Sequence, residues 1–317
     1  MGEGDRGGEG RGGTAVTPDA DEARGSRAER RAAWVLMSPA LGAIAVFFAV
    51  PLIAALLLSL TDFDIYALAD PRNTRIVGAE NYLRLLRDPL FWKVMRNTLV
   101  FVVLGVPLTL LAALGGALLV NSRLARLRGL FRTVFFAPVV TTLVAVSVVF
   151  RYLYHPRYGM INQMLGVIGL PPIDWLGDPA WATAAITLLA VWRSFGYALV
   201  IYVVGLQAIP ESLYEAAELD GAGTWRMLRS ISLPLLKPTT RFVAVLTTVS
   251  LFQIFAEPYV MTRGGPLYAT TSITLLMYEQ GFRWWNLGRA AAIAFVLFAL
   301  IIAATGLQEL LRRRWSS

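Results

Sequence analysis

The chain has 317 residues, 56% hydrophobic and only 16% charged, with a net charge of +8; too little charge is present to cover a soluble protein of this size, and the composition is that of a polytopic membrane protein. It has no cysteine and one histidine, His155, which excludes disulfides, thiolate or His-cluster metal sites and the usual Ser-His-Asp catalysis. The two lysines, Lys93 and Lys237, follow Trp92 and Leu236, so no Gly-Lys pair exists to form a phosphate-binding P-loop, and any ATP-driven process needs another chain to hydrolyse ATP.

Residues 1–32 hold eight glycines, six arginines and seven acids with almost nothing apolar, a composition that cannot offset its ordering entropy and reads as a disordered cytoplasmic tail. Trp34 to Leu60 is too long for the apolar part of a signal peptide and reads as an uncleaved first membrane helix, bent at Pro39 and Pro51. Five more spans are predicted at about 98–120, 131–153, 182–206, 240–262 and 288–311. Between the first two, AENYLRLLRDPLFWKVMR at 79–96 mixes aromatics, leucines and charges as a helix lying on the membrane surface does. Residues 157–180 are turn-rich, with Trp175 and Trp181 near an interface. The predicted fold is therefore all-α, a six-helix transmembrane domain over 33–317. Six spans put both termini on one side. Of the 29 basic residues, 17 fall on the side of the termini, 11 on the other, and Arg193 inside a span, so the positive-inside bias puts both ends in the cytoplasm. The basic residues flank spans, as at Arg27, Arg30 and Arg31 and again at Arg312, Arg313 and Arg314, which fits lipid headgroups rather than nucleic acid.

The fourth and fifth spans are joined by a polar, hinged loop, 210–238, containing EAAELDGAGTWRMLRSISLPLLKP. Pro210 ends one membrane helix or begins the next, since it fixes its backbone and lacks a donor. Residues 211–220 favour helix, with Leu213, Tyr214, Ala216 and Ala217 as an apolar stripe. Gly221 is suited to a positive backbone angle that closes this helix, and Thr224 to capping a second one. Ile231, Leu233 and Pro234 return the chain to the membrane.

Glu215-Ala216-Ala217, then Gly221, then Ile231-x-Leu233-Pro234 resembles the EAA loop of permease subunits in binding-protein-dependent ABC importers. FWKVMRNTLVF at 91–101, GMINQMLGVIGL at 159–170, WRSFGYALVIYVVGLQAIPESLYEAA at 192–217 and MTRGGP at 261–266 are similar to the sugar-importer permeases of the maltose, glycerol-3-phosphate and multiple-sugar group. The resemblance covers about residues 33–311. It implies a helix-turn-helix coupling loop in which Glu215, Ala216, Ala217, Asp220, Gly221, Ile231, Leu233 and Pro234 engage an ATPase. It also implies a second homologous permease, two ATPase subunits that bind the ATP and magnesium, and an extracytoplasmic solute-binding protein. No cofactor, metal or catalytic residue is expected in this chain, and the expected location is a bacterial or archaeal cytoplasmic membrane.

Polar residues inside the spans mark a candidate pathway. Thr247, Ser250, Gln253 and Glu257 fall within about a third of a helical circumference at about 100° per residue, and a carboxylate there should avoid lipid, at roughly 3 kcal/mol. In the fourth span Arg193 and Tyr197 are one turn apart, with Trp192 and Gly196 on a neighbouring face. Rings with scattered hydrogen-bonding groups suit sugars, so Trp192, Gly196, Tyr197, Ser250, Gln253 and Glu257 are the candidate pathway residues. Pairing between helices is the competing role, for Arg193 above all. The reading is a permease moving a sugar-like solute by alternating access. Its rival is a self-sufficient ion-coupled carrier, which inverted repeats and further intramembrane carboxylates would favour.

Overall fold

The computed structural model describes residues 20–121 and 141–315, and the description that follows is of those residues. Residues 1–19 of the expected tail, the basic loop at 122–132 and the start of the third predicted span lie outside them. Helix α1 is Ala20–Ile44. It therefore begins within the stretch expected to be disordered, where alanine, glutamate and arginine are all strong helix formers. A π-helical segment, Ala45–Ala49, joins α1 to α2, Val50–Ser59. Pro51 lacks the N–H that would bond the carbonyl of Phe47, and the helix meets this by widening: the N–H of Val50 bonds Ala45 O, five residues back. Apolar side chains from Trp34 to Ile53, with Phe47 and Phe48 among the most open, are exposed, as a lipid-facing helix requires.

The remaining helices form a bundle. After short α3, Ile65–Ala69, come α4, Glu80–Arg87, and the long α5, Pro89–Asn121. The surface helix expected over 79–96 is thus only α4, because Asp88 ends it and Pro89, lacking a donor, opens the membrane helix. α6 is Leu143–Leu153, α7 Met160–Val167 and α8 Pro179–Gln207, the last capped by Asp178. α9, Glu211–Leu219, and α10, Thr224–Met227, occupy the predicted loop. α11, Lys237–Phe252, then α12, Ala256–Met261, α13, Ile273–Tyr278, and α14, Leu287–Trp315, complete the chain. Five segments are long and apolar enough to cross a membrane: Arg31–Ser59, Pro89–Asn121, Pro179–Gln207, Lys237–Met261 and Leu287–Leu311. α6 is the described part of the remaining predicted span.

Small residues line the crossing between α5 and α8. Ala113, Ala117 and Ala198 are buried there, and a Cβ on Gly116 would stand 2.7 Å from Leu199 and 3.1 Å from Phe195. Membrane helices have little hydrophobic drive to associate, so such close approach is what holds them. Gly105 does the same against α11, where its missing Cβ makes room for Leu251.

The predicted fifth span is not one helix. α11 stops at Phe252 and α12 starts at Ala256. Pro258 explains part of the break, since its missing N–H leaves the Ile254 carbonyl without a helical partner. The Ser272 hydroxyl donates to that carbonyl at 2.6 Å. Residues 262–272, here called the strap, are pinned from two helices, α5 and α8. Asn97 Nδ2 donates to the carbonyls of Tyr268 and Thr271 at 2.7 and 3.1 Å. Thr98 Oγ1 accepts from Ile273 N at 2.9 Å, and Thr183 Oγ1 donates to Ala269 O at 3.1 Å. Arg263, Leu267 and Tyr268 hold φ of 51°, 49° and 60°; side-chain-bearing residues persist in that region only where surrounding contacts fix them.

Candidate functional site

At the end of the bundle opposite the strap, α9 and α10 form the hinged loop. Gly221 sits between them at φ 74°, the left-handed conformation that glycine reaches without strain. The N–H of Gly221 bonds Glu218 O and that of Ala222 bonds Ala217 O, closing α9 as a helix C-terminus should. No residue of α9 or α10 is buried, and Leu219 and Trp225 are 90% and 72% exposed. Thr224 is not the cap of α10. Gly223 takes that position and Thr224 is the first helical residue, with no side-chain cap bond. Tyr214 reaches the carboxyl end of the loop, its hydroxyl 2.9 Å from Ser232 Oγ.

Glu215, Ala216, Asp220, Gly221, Leu233 and Pro234 are exposed, and Ala217 and Ile231 are half-buried. Glu215 lines a groove of about 780 Å³ with Glu211, Tyr214 and Glu218 of α9, Thr224 and Met227 of α10, and Leu118 and Asn121 from the end of α5. The glutamate of the EAA segment therefore opens onto the same groove as Glu218 and Thr224, the residues that flank the hinge.

A smaller cleft of about 200 Å³ lies between α8 and α11, lined by Ser194, Tyr197, Ala198, Ile201, Val243, Leu246, Thr247 and Ser250. Of the six residues expected along a pathway, Tyr197 and Ser250 meet here. Thr247 joins them from the same stripe. Ser194 was missed, although its spacing of three from Tyr197 and seven from Ile201 was legible as one helical face. Trp192 instead packs its ring against Phe150, centroids 5.4 Å apart, and Gly196 is buried. Gln253, the C-cap of α11, is exposed at the break.

Glu257 departs most from the expected stripe. Because the helix breaks before it, its side chain turns inward, is 1% exposed, and lies 3.0 Å from Arg193 Nε on α8. The N–H is not aimed for a hydrogen bond, so the attraction is Coulombic. Pairing offsets part of the desolvation cost of burying a carboxylate and a guanidinium. The competing role for Arg193, helix-to-helix pairing with an acid, is the one it occupies.

Comparison with known proteins gives these features a context. Residues 105–317 match the family described as "Binding-protein-dependent transport system inner membrane component". The lactose transport system permease protein LacF of Rhizobium radiobacter is 35% identical over 280 residues, covering 87% of this chain and 92% of that protein. The trehalose/maltose transport system permease protein MalF of Thermococcus litoralis is 34% identical over 280 residues, with the same shares covered. Among solved structures, a bacterial ABC transporter that imports the acidic polysaccharide alginate superposes with a TM-score of 0.75, covering 93% of this chain and 100% of that chain. Its sequence identity is 21%, so the likeness is one of fold. With no Gly-Lys pair to build an ATP site, an open hinged loop and a bundle of membrane helices, the chain belongs to the family of binding-protein-dependent transport system inner membrane components, as a multi-pass permease of an ABC importer.

Proposed function

We propose that this chain is one of two permeases in an importer of a sugar or sugar-like solute, working in a bacterial or archaeal cytoplasmic membrane with both termini in the cytoplasm. The strap then lies outside and the α9–α10 loop inside. Two ATPase subunits, which would bind ATP and magnesium, grip this loop and its counterpart on a second, homologous permease. An extracytoplasmic binding protein delivers the solute. Closure of the ATPases moves the two loops, and the bundle passes the movement on to the cleft between α8 and α11. Residues 33–317 act as one transport domain, with 1–32 a tail outside it.

The observation that carries this reading is the pairing of a helix-turn-helix that has no buried residue in either helix with a glycine hinge at φ 74°. A membrane protein that orders such a loop without burying any of it has left its apolar residues for a partner. The sugar class is supported by the names of the relatives, which transport lactose, trehalose and maltose, and sulfoquinovosyl glycerol, and by the hydroxyl-rich cleft. Its volume of about 200 Å³ falls below the roughly 300–1,000 Å³ of ordinary ligand pockets, as one wall of a cavity shared with a second chain would. The ion-coupled carrier gains nothing from these observations, since the one buried acid of the pathway region is already paired.

Purification tests the assembly. The chain should co-isolate with an ATPase and a second permease, and uptake should require all of them with the binding protein. Uptake of sugar by this chain alone in liposomes would establish the carrier instead.

A further inference from the structure

The geometry points to Glu257 as a specificity residue: by cancelling the charge of Arg193 it keeps the cleft neutral, so that the pathway takes uncharged polyhydroxylated solutes and disfavours anionic sugars. This rests on the reading of the α8–α11 cleft as the solute pathway, and goes beyond it by naming the charge class.

None of the eight side chains lining the cleft is charged, and four of them carry hydroxyls: Ser194, Tyr197, Thr247 and Ser250. Arg193 is not itself part of the lining, but on α8 it directly precedes Ser194 and stands one helical turn from Tyr197, both of which are. Its side chain keeps 29% of its surface accessible. An arginine presents five N–H donors in a fixed fork and never loses its charge. Left alone at this position it would be a ready partner for a carboxylate or sulfonate. Glu257 approaches from α12, a helix set apart from α11 by the break at 253–255, and its carboxylate is 1% exposed. It is too deeply placed to meet a solute itself. Its reach is electrostatic, through Arg193, which makes it a positioning residue.

A plain structural tie between α8 and α12 would need no accessible guanidinium, and two apolar residues would make it at lower desolvation cost. Retaining a partly open arginine with its charge already answered gives hydrogen-bond donors for hydroxyl groups without a net field that would hold an anion.

The test uses the assembled transporter without its binding protein, so that the delivery protein's own selectivity is absent. Binding of lactose and of lactobionate, the same scaffold with one carboxylate, is compared by saturation-transfer NMR. The parent should favour lactose. Glu257→Gln, which unmasks Arg193, should raise the lactobionate-to-lactose ratio about tenfold, the size of one added charge-assisted hydrogen bond. Arg193→Gln should lower it further below the parent. The double variant Arg193→Met/Glu257→Gln, neutral again, should return to the parental ratio. A ratio unmoved in both single variants, or moved as far in the double as in Glu257→Gln, overturns the proposal and leaves the pair as a helix tie. If Glu257→Gln does not assemble, an unchanged ratio in Arg193→Gln overturns it alone. A parent complex that binds neither probe overturns the cleft as the pathway and this proposal with it.

Discussion

The strap at 262–272 and the loop at 211–232 each connect helices at one end of the bundle, and they are held in different ways. The strap spends its polar groups on its own chain. Asn97, Thr98, Thr183 and Ser272 each bond across to another segment, and Thr270, Thr271 and Ser272 are buried. The loop buries nothing in α9 or α10, and a side-chain bond from Tyr214 to Ser232 links its halves. A segment closed by its own contacts is stable alone, while one that leaves Leu219 and Trp225 open offers an apolar surface to a partner. The break in the fifth span belongs with the strap, since Ser272 occupies the carbonyl that Pro258 leaves free.

Substitutions in the two regions should therefore fail in different measurements. The largest effect on function is expected at Gly221. Gly221→Val forces a β-branched residue into the left-handed region at roughly 1–2 kcal/mol, and binding-protein-stimulated uptake should fall about tenfold or more while the chain's own thermal stability changes little. A Gly221→Val protein that couples ATP to uptake as the parent does would remove the loop from the mechanism.

The strap should show the reverse. Ser272→Ala strands the Ile254 carbonyl and the Leu275 N–H, at about 1–3 kcal/mol, so the purified chain should unfold at a lower temperature with uptake per folded molecule nearly unchanged. Equal melting of parent and variant would show that the break is held by something else.

Between these lies the cleft. Tyr197→Leu keeps bulk but removes the ring and hydroxyl that face Ser250 and Thr247 in the lining. Uptake of the transported solute should drop severalfold with ATPase co-purification intact; full uptake would leave the cleft without a role. The mildest change should come from Glu215→Ala, which removes one polar contact at the groove and leaves the hinge, costing about 0.5–1.5 kcal/mol of coupling. If Glu215→Ala proved more damaging than Gly221→Val in side-by-side uptake assays, contact chemistry rather than backbone shape would govern the loop.

The loop was legible in the sequence because its determinants are local: a proline, a glycine and a run of helix formers fix it within a few residues of themselves. Glu257 was misplaced for the opposite reason. A continuous helix from 240 to 262 aligns it with Ser250, and nothing nearby except Pro258 signals the break, which is completed by Ser272 from beyond the strap. Trp192 and Gly196 share a helix with Tyr197, but periodicity alone cannot say which face meets Phe150 and which meets α11. The pairing of Arg193 was foreseen as a type of contact, while its partner depended on where α12 lies.

The cysteine-free chain allows the contrast between the two regions to be measured directly. A single cysteine at Leu219, 90% exposed at the end of α9, and another at Leu267, 75% exposed on the strap, can each be treated with a short thiol- and amine-reactive cross-linker in membranes containing the whole transporter. The account predicts that the Leu219→Cys chain is captured with the ATPase subunit and the Leu267→Cys chain is not. An ATPase adduct from the strap, or none from the loop in a transporter that still imports, would contradict it.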